Sequence, residues 1–299
     1  MTKQVLSIFR PWFWLISVIP ALVGFLRANG GPDYRLWFIL LLMATVSAVA
    51  EVVNHFADYE QDKAQKEKRL GPILLAGGSS AGGRLFTGVR AISVFLIIAG
   101  VIYFATAIAL ARWNFLYLGV ATLAFLMAVF YSLKPIRLKE RGFWGILDIA
   151  VGRGLVSFHL GWLVVNTVTA DSLLVGLIIS LVVFGSAITA HLCDYEEDKA
   201  AGIMTFPVRV GLLTAHTVSY CALMLAWMLI MTLSFAGFFP IRLAAMSMWG
   251  VEVGVGFSAI FITLWWWLGS LTYGLTTRYF KTCQVISLMT VLVVPFTLL

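Results

Sequence analysis

The chain alternates long apolar runs with short charged connections, and that pattern leaves few possible folds. Runs long enough to cross a bilayer lie near 11–28, 36–56, 86–111, 115–133, 144–166, 173–193, 214–238, 244–272 and 282–299. A helix of about twenty residues, rising about 1.5 Å per residue, spans the roughly 30 Å hydrocarbon core. Backbone inside that core must satisfy its own hydrogen bonds, so only helices and closed barrels span it. A barrel would show short alternating segments instead of these continuous runs. Charged residues make up 12% of the chain, about half the share found in soluble domains. The predicted fold is all-α: a multi-pass integral membrane protein with nine transmembrane helices, forming a single domain over residues 1–299. The first run follows Lys3 and Arg10 without a small-residue cleavage site, so it reads as a span and not as a removable signal.

Basic residues give the orientation. Lys63, Lys66, Lys68, Arg69 and Arg84 fall between spans two and three, and Lys134, Arg137, Lys139 and Arg141 between spans four and five. Lys199 and Arg209 follow span six, and Arg278 and Lys281 follow span eight. The opposite side holds Arg27, Arg35, Arg112 and Arg242. The positive-inside rule then puts the N-terminus and the even-to-odd loops in the cytoplasm. The net charge of +7 is explained by topology and by contact with anionic lipid of the bilayer, and calls for no nucleic acid. Cys193, Cys221 and Cys283 show no metal-ligand spacing and read as packing residues. No oligomeric state follows from the residues.

Against this background two acidic clusters stand out. One is Asn54-His-Phe-Ala-Asp58-Tyr-Glu-Gln-Asp62; the other is Asp194-Tyr-Glu-Glu-Asp198. Residues four apart on a helix share a face, so Asn54, Asp58 and Asp62 form one acidic stripe and Asp194 and Asp198 another. Like charges stacked at a membrane surface need a counter-ion. The fitting one is Mg²⁺, which is held by a few carboxylates together with substrate phosphates. Arginine and lysine beyond each cluster supply phosphate ligands; the candidates are Lys68, Arg69, Lys134, Arg137, Lys139 and Lys199, with Arg69 and Lys134 preferred. A single DxxxD would read as a solvated helix end, but two at equivalent depth point to a metal–diphosphate site.

Several polar residues fall within or near spans: Glu51, Asp148, Arg153, His159, Asn166, His191 and Glu252. Each intramembrane charge costs about 2.5–3.5 kcal/mol on insertion scales unless it finds a partner or a cavity. Asp148 and Arg153 are expected to pair along span five. Glu51, three residues before Asn54, is a candidate base or supporting group at the same site, and His191 faces it if its helix continues to Asp194.

These residues together resemble the UbiA superfamily of intramembrane prenyltransferases, over nearly the whole chain. Asn54, Asp58 and Asp62 match its NxxxDxxxD motif, and Asp194 and Asp198 its second DxxxD. The stretch Asp194 to Gly202, with Thr205, Pro207, Val208 and Gly211, is similar to its second signature loop, and Tyr131-Ser-Leu-Lys134 to its YxxK element. The resemblance implies helices around a central cavity and two Mg²⁺ ions bridging Asn54, Asp58, Asp62, Asp194 and Asp198 to an isoprenyl diphosphate. Arg69, Lys134, Arg137 and Lys199 would hold the diphosphate, with Lys134 and Tyr131 at the reacting centre. Loss of diphosphate would give an allylic cation, attacked by a small aromatic or quinone-precursor acceptor on the cytoplasmic side. The loop Arg69-Leu-Gly-Pro72 to Ser79 resembles the naphthoate branch, while His55 and the DxxxD spacing depart from it. Two other functions fit the same clusters: a terpene cyclase acting on the diphosphate alone, and a cation-coupled transporter.

Overall fold

The computed structural model describes residues 11–66, 89–112, 114–236, 264, 266–269 and 274–298; within these, side chains at 11–13, 59–66, 89–91, 234–235, 277–278, 293 and 295–297 are outside the description. The described residues form ten helices in chain order. These are α1 (Pro11–Asn29), α2 (Arg35–Lys66), α3 (Val89–Ala111), α4 (Phe115–Phe130), α5 (Phe143–Trp162), α6 (Ala170–Cys193), α7 (Tyr195–Ala200), α8 (Phe206–Val210), α9 (Leu212–Phe235) and α10 (Thr277–Thr297). Among the described residues, eight of the nine expected spans are helices; the run at 244–272 lies mostly outside them. Segments Arg35–Asp58, Ile92–Ala111, Phe143–Trp162, Ala170–Cys193 and Leu212–Leu233 are long and apolar enough to cross a membrane, and shorter apolar helices cover Trp14–Asn29, Phe115–Phe130 and Tyr279–Leu292.

The outer surface confirms the class. On α3, Ile97, Val101 and Ile108 are 63–65% exposed while Tyr103 and Ala107 of the same helix are fully buried. Apolar side chains on the outside and small or hydrogen-bonded ones inside are the inverse of a soluble bundle. The chain is an integral membrane protein.

Close approaches between helices rest on small residues. A Cβ on Gly161 would lie 1.8 Å from the Ala21 carbonyl oxygen, and one on Gly24 would lie 2.1 Å from the Phe158 oxygen. The backbones of α1 and α5 therefore touch. A Cβ on Gly154 would meet Ser180 of α6 at 2.5 Å, and one on Gly185 would meet the Ser219 carbonyl of α9 at 2.9 Å. Helix α6 is the central post, packed against α5, α9 and α10. Its start is fixed by a reciprocal cap between Thr169 and Ser172. On the side of the molecule where α1 and α10 end, Arg27 of α1 forms an ion pair with Asp171 at 3.1 Å and donates to the Leu298 carbonyl, joining α1, α6 and α10.

Two irregularities position functional groups. Helix α5 is α-helical over Phe143–Ala150 and Ser157–Trp162, with a π-helical segment Val151–Val156 between. Serines serve that segment: Leu155 N–H donates to Ser180 Oγ (2.8 Å), and Ser157 Oγ donates to the Gly152 carbonyl (2.8 Å). The second is a break at Asp194 between α6 and α7, directly after the sixth apolar run. The Asp198 N–H still donates to the Asp194 carbonyl at 2.8 Å, so the two aspartates remain one turn apart.

Candidate active site

Helix α2 carries the first acidic motif. Its 32 residues make it about 48 Å long, well beyond the bilayer core, and its apolar segment ends at Asp58. Asn54 lines an internal cavity of about 470 Å³ bounded by α1, α2, α4, α5, α6 and α10. The side chain of Asp62 and all of Arg69 lie outside the described residues.

The segment between α4 and α5 brings the cations to Asp58. Tyr131 ends α4, and the chain turns back so that Lys139 N–H donates to the Tyr131 carbonyl at 3.1 Å. Arg137 takes left-handed backbone angles (φ 42, ψ 62) at the start of a short 3₁₀ turn, Leu138–Glu140. A non-glycine residue there is strained by about 1–3 kcal/mol, and such strain gathers at functional sites. The outcome is that Arg137 and Lys139 are both only 9% exposed. Arg137 bridges Asp58 at 3.2 Å and Glu140 at 2.8 Å, and Lys139 forms a salt bridge to Asp58. Lys139 Nζ also lies 3.4 Å from Asn54 Oδ1, which accepts a 2.9 Å hydrogen bond from Ser132 Oγ. Burial pulls the Lys139 pKa down, opposed by the Asp58 charge and hydrogen bond.

The second motif approaches from α6 and α7. Burial pushes the Asp198 carboxyl up to about 6; the Thr205 hydrogen bond opposes this, Asp194 and Glu197 add to it, and Lys139 draws it back down. Lys139 is thus bonded to Asp58 and within electrostatic range of Asp198. Thr205 stands at the N-cap of α8 but makes no cap bond; its hydroxyl donates to Asp198 at 3.0 Å instead. Arg209 of α8 locks the two connecting segments together, donating to the Met204 carbonyl (2.9 Å) and the Glu140 carbonyl (3.2 Å). Gly142 (φ 59) passes beneath it, where a Cβ would be 2.5 Å from Arg209 Cδ.

The remaining expected residues are placed as follows. Tyr131 and His191 both line the cavity, with the hydroxyl and Nε2 3.5 Å apart. Tyr131 is within electrostatic range of Asp58 and Asp198. Lys134 is exposed, and Lys199 is exposed with its ammonium 5.6 Å from the Tyr195 ring. Arg153 forms an ion pair across to Glu51 at 3.6 Å, a contact the sequence reading did not anticipate; Asp148 lines the same cavity within range of Arg153's charge. Ser132 and Thr205 were visible in the sequence only as members of the YxxK element and the signature loop.

Among the described residues, no three His, Cys, Asp or Glu side chains converge to hold an ion unaided. The donor set still suits Mg²⁺: hard oxygens of Asn54 and Asp58 meet buried Lys139, Asp198 lies within range of the same charge, and Asn54 lines the cavity; Mg²⁺ takes one or two carboxylates and completes its shell with water and substrate phosphate.

Comparison with known proteins gives the family. The model of the UbiA prenyltransferase family matches residues 17–280. The chain belongs to that family. It is 28% identical over 261 residues to a protoheme IX farnesyltransferase of Serratia proteamaculans, covering 83% of this chain and 82% of that one. It is 29% identical over 212 residues to a digeranylgeranylglyceryl phosphate synthase of Methanothermobacter thermautotrophicus, covering 69% and 66%. The fold matches that of a UbiA homolog from Archaeoglobus fulgidus bound to GPP and Mg²⁺, with a TM-score of 0.68, 20% identity and 99% of each chain covered. The glycine-rich loop expected to indicate the naphthoate branch lies outside the described residues.

The site separates two lysines that sequence alone ranks the other way. Lys139→Met is expected to lower kcat/KM for diphosphate release about ten- to hundredfold, the scale of one hydrogen bond to a charged group. Lys134→Met, at an exposed position, is expected to change it by less than about threefold. Steady-state release assays on the two purified variants check the order.

Proposed function

We propose that the protein moves an isoprenyl group from its diphosphate to an aromatic or quinone-precursor acceptor, with Mg²⁺ at the cytoplasmic mouth of the cavity and the whole chain acting as one domain. The observation that carries this reading is that Asn54, in contact with buried Lys139 beside Asp58, lines a cavity that also holds polar groups beyond it. Asn54, Asp58, Asp62, Asp194 and Asp198 would hold the metal, as two ions on the family resemblance drawn from the sequence. When bound, the metal neutralises charge growing on the departing diphosphate. Arg137 and Lys139, which flank Asp58, would bind phosphate oxygens; Arg69, Lys134 and Lys199 are further phosphate ligands from the sequence. Tyr131 would sit beside the C1 carbon, its ring steadying positive charge there.

Relatives named for protoheme, glyceryl phosphate and bacteriochlorophyll products support transfer to an acceptor. So does the cavity: Glu51, Arg153 and Asp148 line it, whereas cyclisation of a bare prenyl chain needs an apolar pocket. The test is incubation of purified protein in nanodiscs with Mg²⁺ and donors of several chain lengths, with and without hydroxyaromatic compounds, followed by mass spectrometry. Prenylated acceptor is the expected product. A terpene formed from donor alone, whatever acceptor is present, would sink the transferase reading in favour of cyclisation.

A further inference from the structure

The inner part of the cavity has a polar lining that the diphosphate site does not use. Ser47, Glu51 and Asn54 lie on one face of α2 and all line the cavity. Asn54 is at the mouth; Glu51 and Ser47 are one and two turns further in. Opposite them, the π-helical segment of α5 presents Arg153, 3.6 Å from Glu51, and Asp148 lines the same space. Ser47 is 8% exposed, and its hydroxyl has no hydrogen-bond partner among the described residues. Leaving a buried hydroxyl unsatisfied costs about 1–3 kcal/mol, so an unpartnered serine on the cavity wall points to a ligand that completes it.

Charge narrows the ligand further. Among the described lining residues, two carboxyl groups, Glu51 and Asp148, share one guanidinium, that of Arg153. An acceptor with its own carboxylate would put a third carboxyl group around one cation, next to the diphosphate at the mouth. A hydroxyl meets the opposite situation. An ionised carboxylate has about four acceptor positions, so Glu51 can take a hydroxyl hydrogen while keeping Arg153. Apolar walls such as Val46, Met127 and Leu288 suit the body of such a molecule.

We infer that Ser47, Glu51 and Arg153 form the acceptor's head-group subsite and select a neutral, hydroxyl-bearing acceptor over an anionic one. The inference rests on the prenyltransferase reading above. Two probes test it: naphthohydroquinone, which is neutral, and the same ring bearing one carboxylate. Full-length protein in nanodiscs is given Mg²⁺ and geranyl diphosphate, and product formation from each probe is measured beside diphosphate release from donor alone. The wild type is expected to favour the neutral probe at least tenfold in kcat/KM. Ser47→Ala is expected to raise KM for the neutral probe several-fold with little change in kcat. Glu51→Gln is expected to shift the ratio at least tenfold towards the carboxylate probe, because Arg153 then has a carboxylate to gain; a merely structural glutamate would lower both rates together. Equal or better use of the carboxylate probe by the wild type overturns the inference, even if neither variant folds. So does a ratio unmoved in folded Glu51→Gln, or steady diphosphate release with neither probe prenylated. Absence of Mg²⁺-dependent release from donor overturns the underlying reading and this subsite with it.

Discussion

Asp58→Asn and Asp198→Asn are each expected to lower Mg²⁺-dependent diphosphate release by at least about a hundredfold, the scale of removing one preorganised group that stabilises developing charge. Their effects on stability should differ, because the two carboxylates are held differently. Asp58 is the shared partner of buried Arg137 and Lys139, and removing one member of a buried pair leaves its partners uncompensated. Asp58→Asn should therefore melt earlier than wild type in metal-free buffer. Asp198 accepts from Thr205, but its pKa is raised by burial to about 6 from an ordinary 3.8. A carboxyl raised in the folded state opposes folding when ionised; its unfavourable contribution at pH 7 fades as pH falls through 6 towards 4. Asp198→Asn should thus keep its metal-free melting temperature or gain slightly, yet lose both activity and the stabilisation given by Mg²⁺ plus a non-hydrolysable donor analogue. Melting curves with and without Mg²⁺, together with release assays, check both. Wild-type release in either variant would remove that aspartate from the proposed metal site.

What the sequence makes legible here follows from periodicity. Apolar runs and i, i+4 carboxylates are local patterns, so the helices, the membrane class and the two acidic stripes could be read directly. The cation that meets Asp58 could not. Lys134 and Lys139 lie in the same connection, and the difference between them depends on the left-handed turn at Arg137 and the Lys139–Tyr131 backbone bond, neither of which has a periodic signature. The break at Asp194 is hidden because the motif keeps its helical hydrogen bond across it. The Glu51–Arg153 pair joins α2 to a π-helical turn of α5, a contact between distant segments that only packing creates. Thr205 gives up a local cap for a long reach to Asp198, the reverse of what its residue type predicts.

That dependence of the site on packing makes one remote substitution severe. Gly161→Ala adds a single methyl group, and elsewhere in a helix the change is mildly stabilising. At this crossing the new Cβ would lie 1.8 Å from the Ala21 oxygen and 2.7 Å from the Phe25 nitrogen. These are backbone atoms, which no rotamer change can move aside. The helices must separate by more than an ångström, opening the buried surface around Phe25 and Phe158, both fully buried. The expected cost is about 3 kcal/mol or more, the upper end of overpacking effects. Ile16 and Ser17 of α1 line the same cavity as Asn54 and Tyr131, so displacement of α1 should also widen the chamber and lower acceptor kcat/KM in whatever protein remains folded. Gly119→Ala is the matched control, because a Cβ on Gly119 meets nothing within 4 Å. Thermal melts in detergent should show a large loss for Gly161→Ala and no loss for Gly119→Ala. Equal melting temperatures for the two would mean that the α1–α5 crossing is looser than the backbone contact requires, and that the cavity wall built on it is not fixed by that contact.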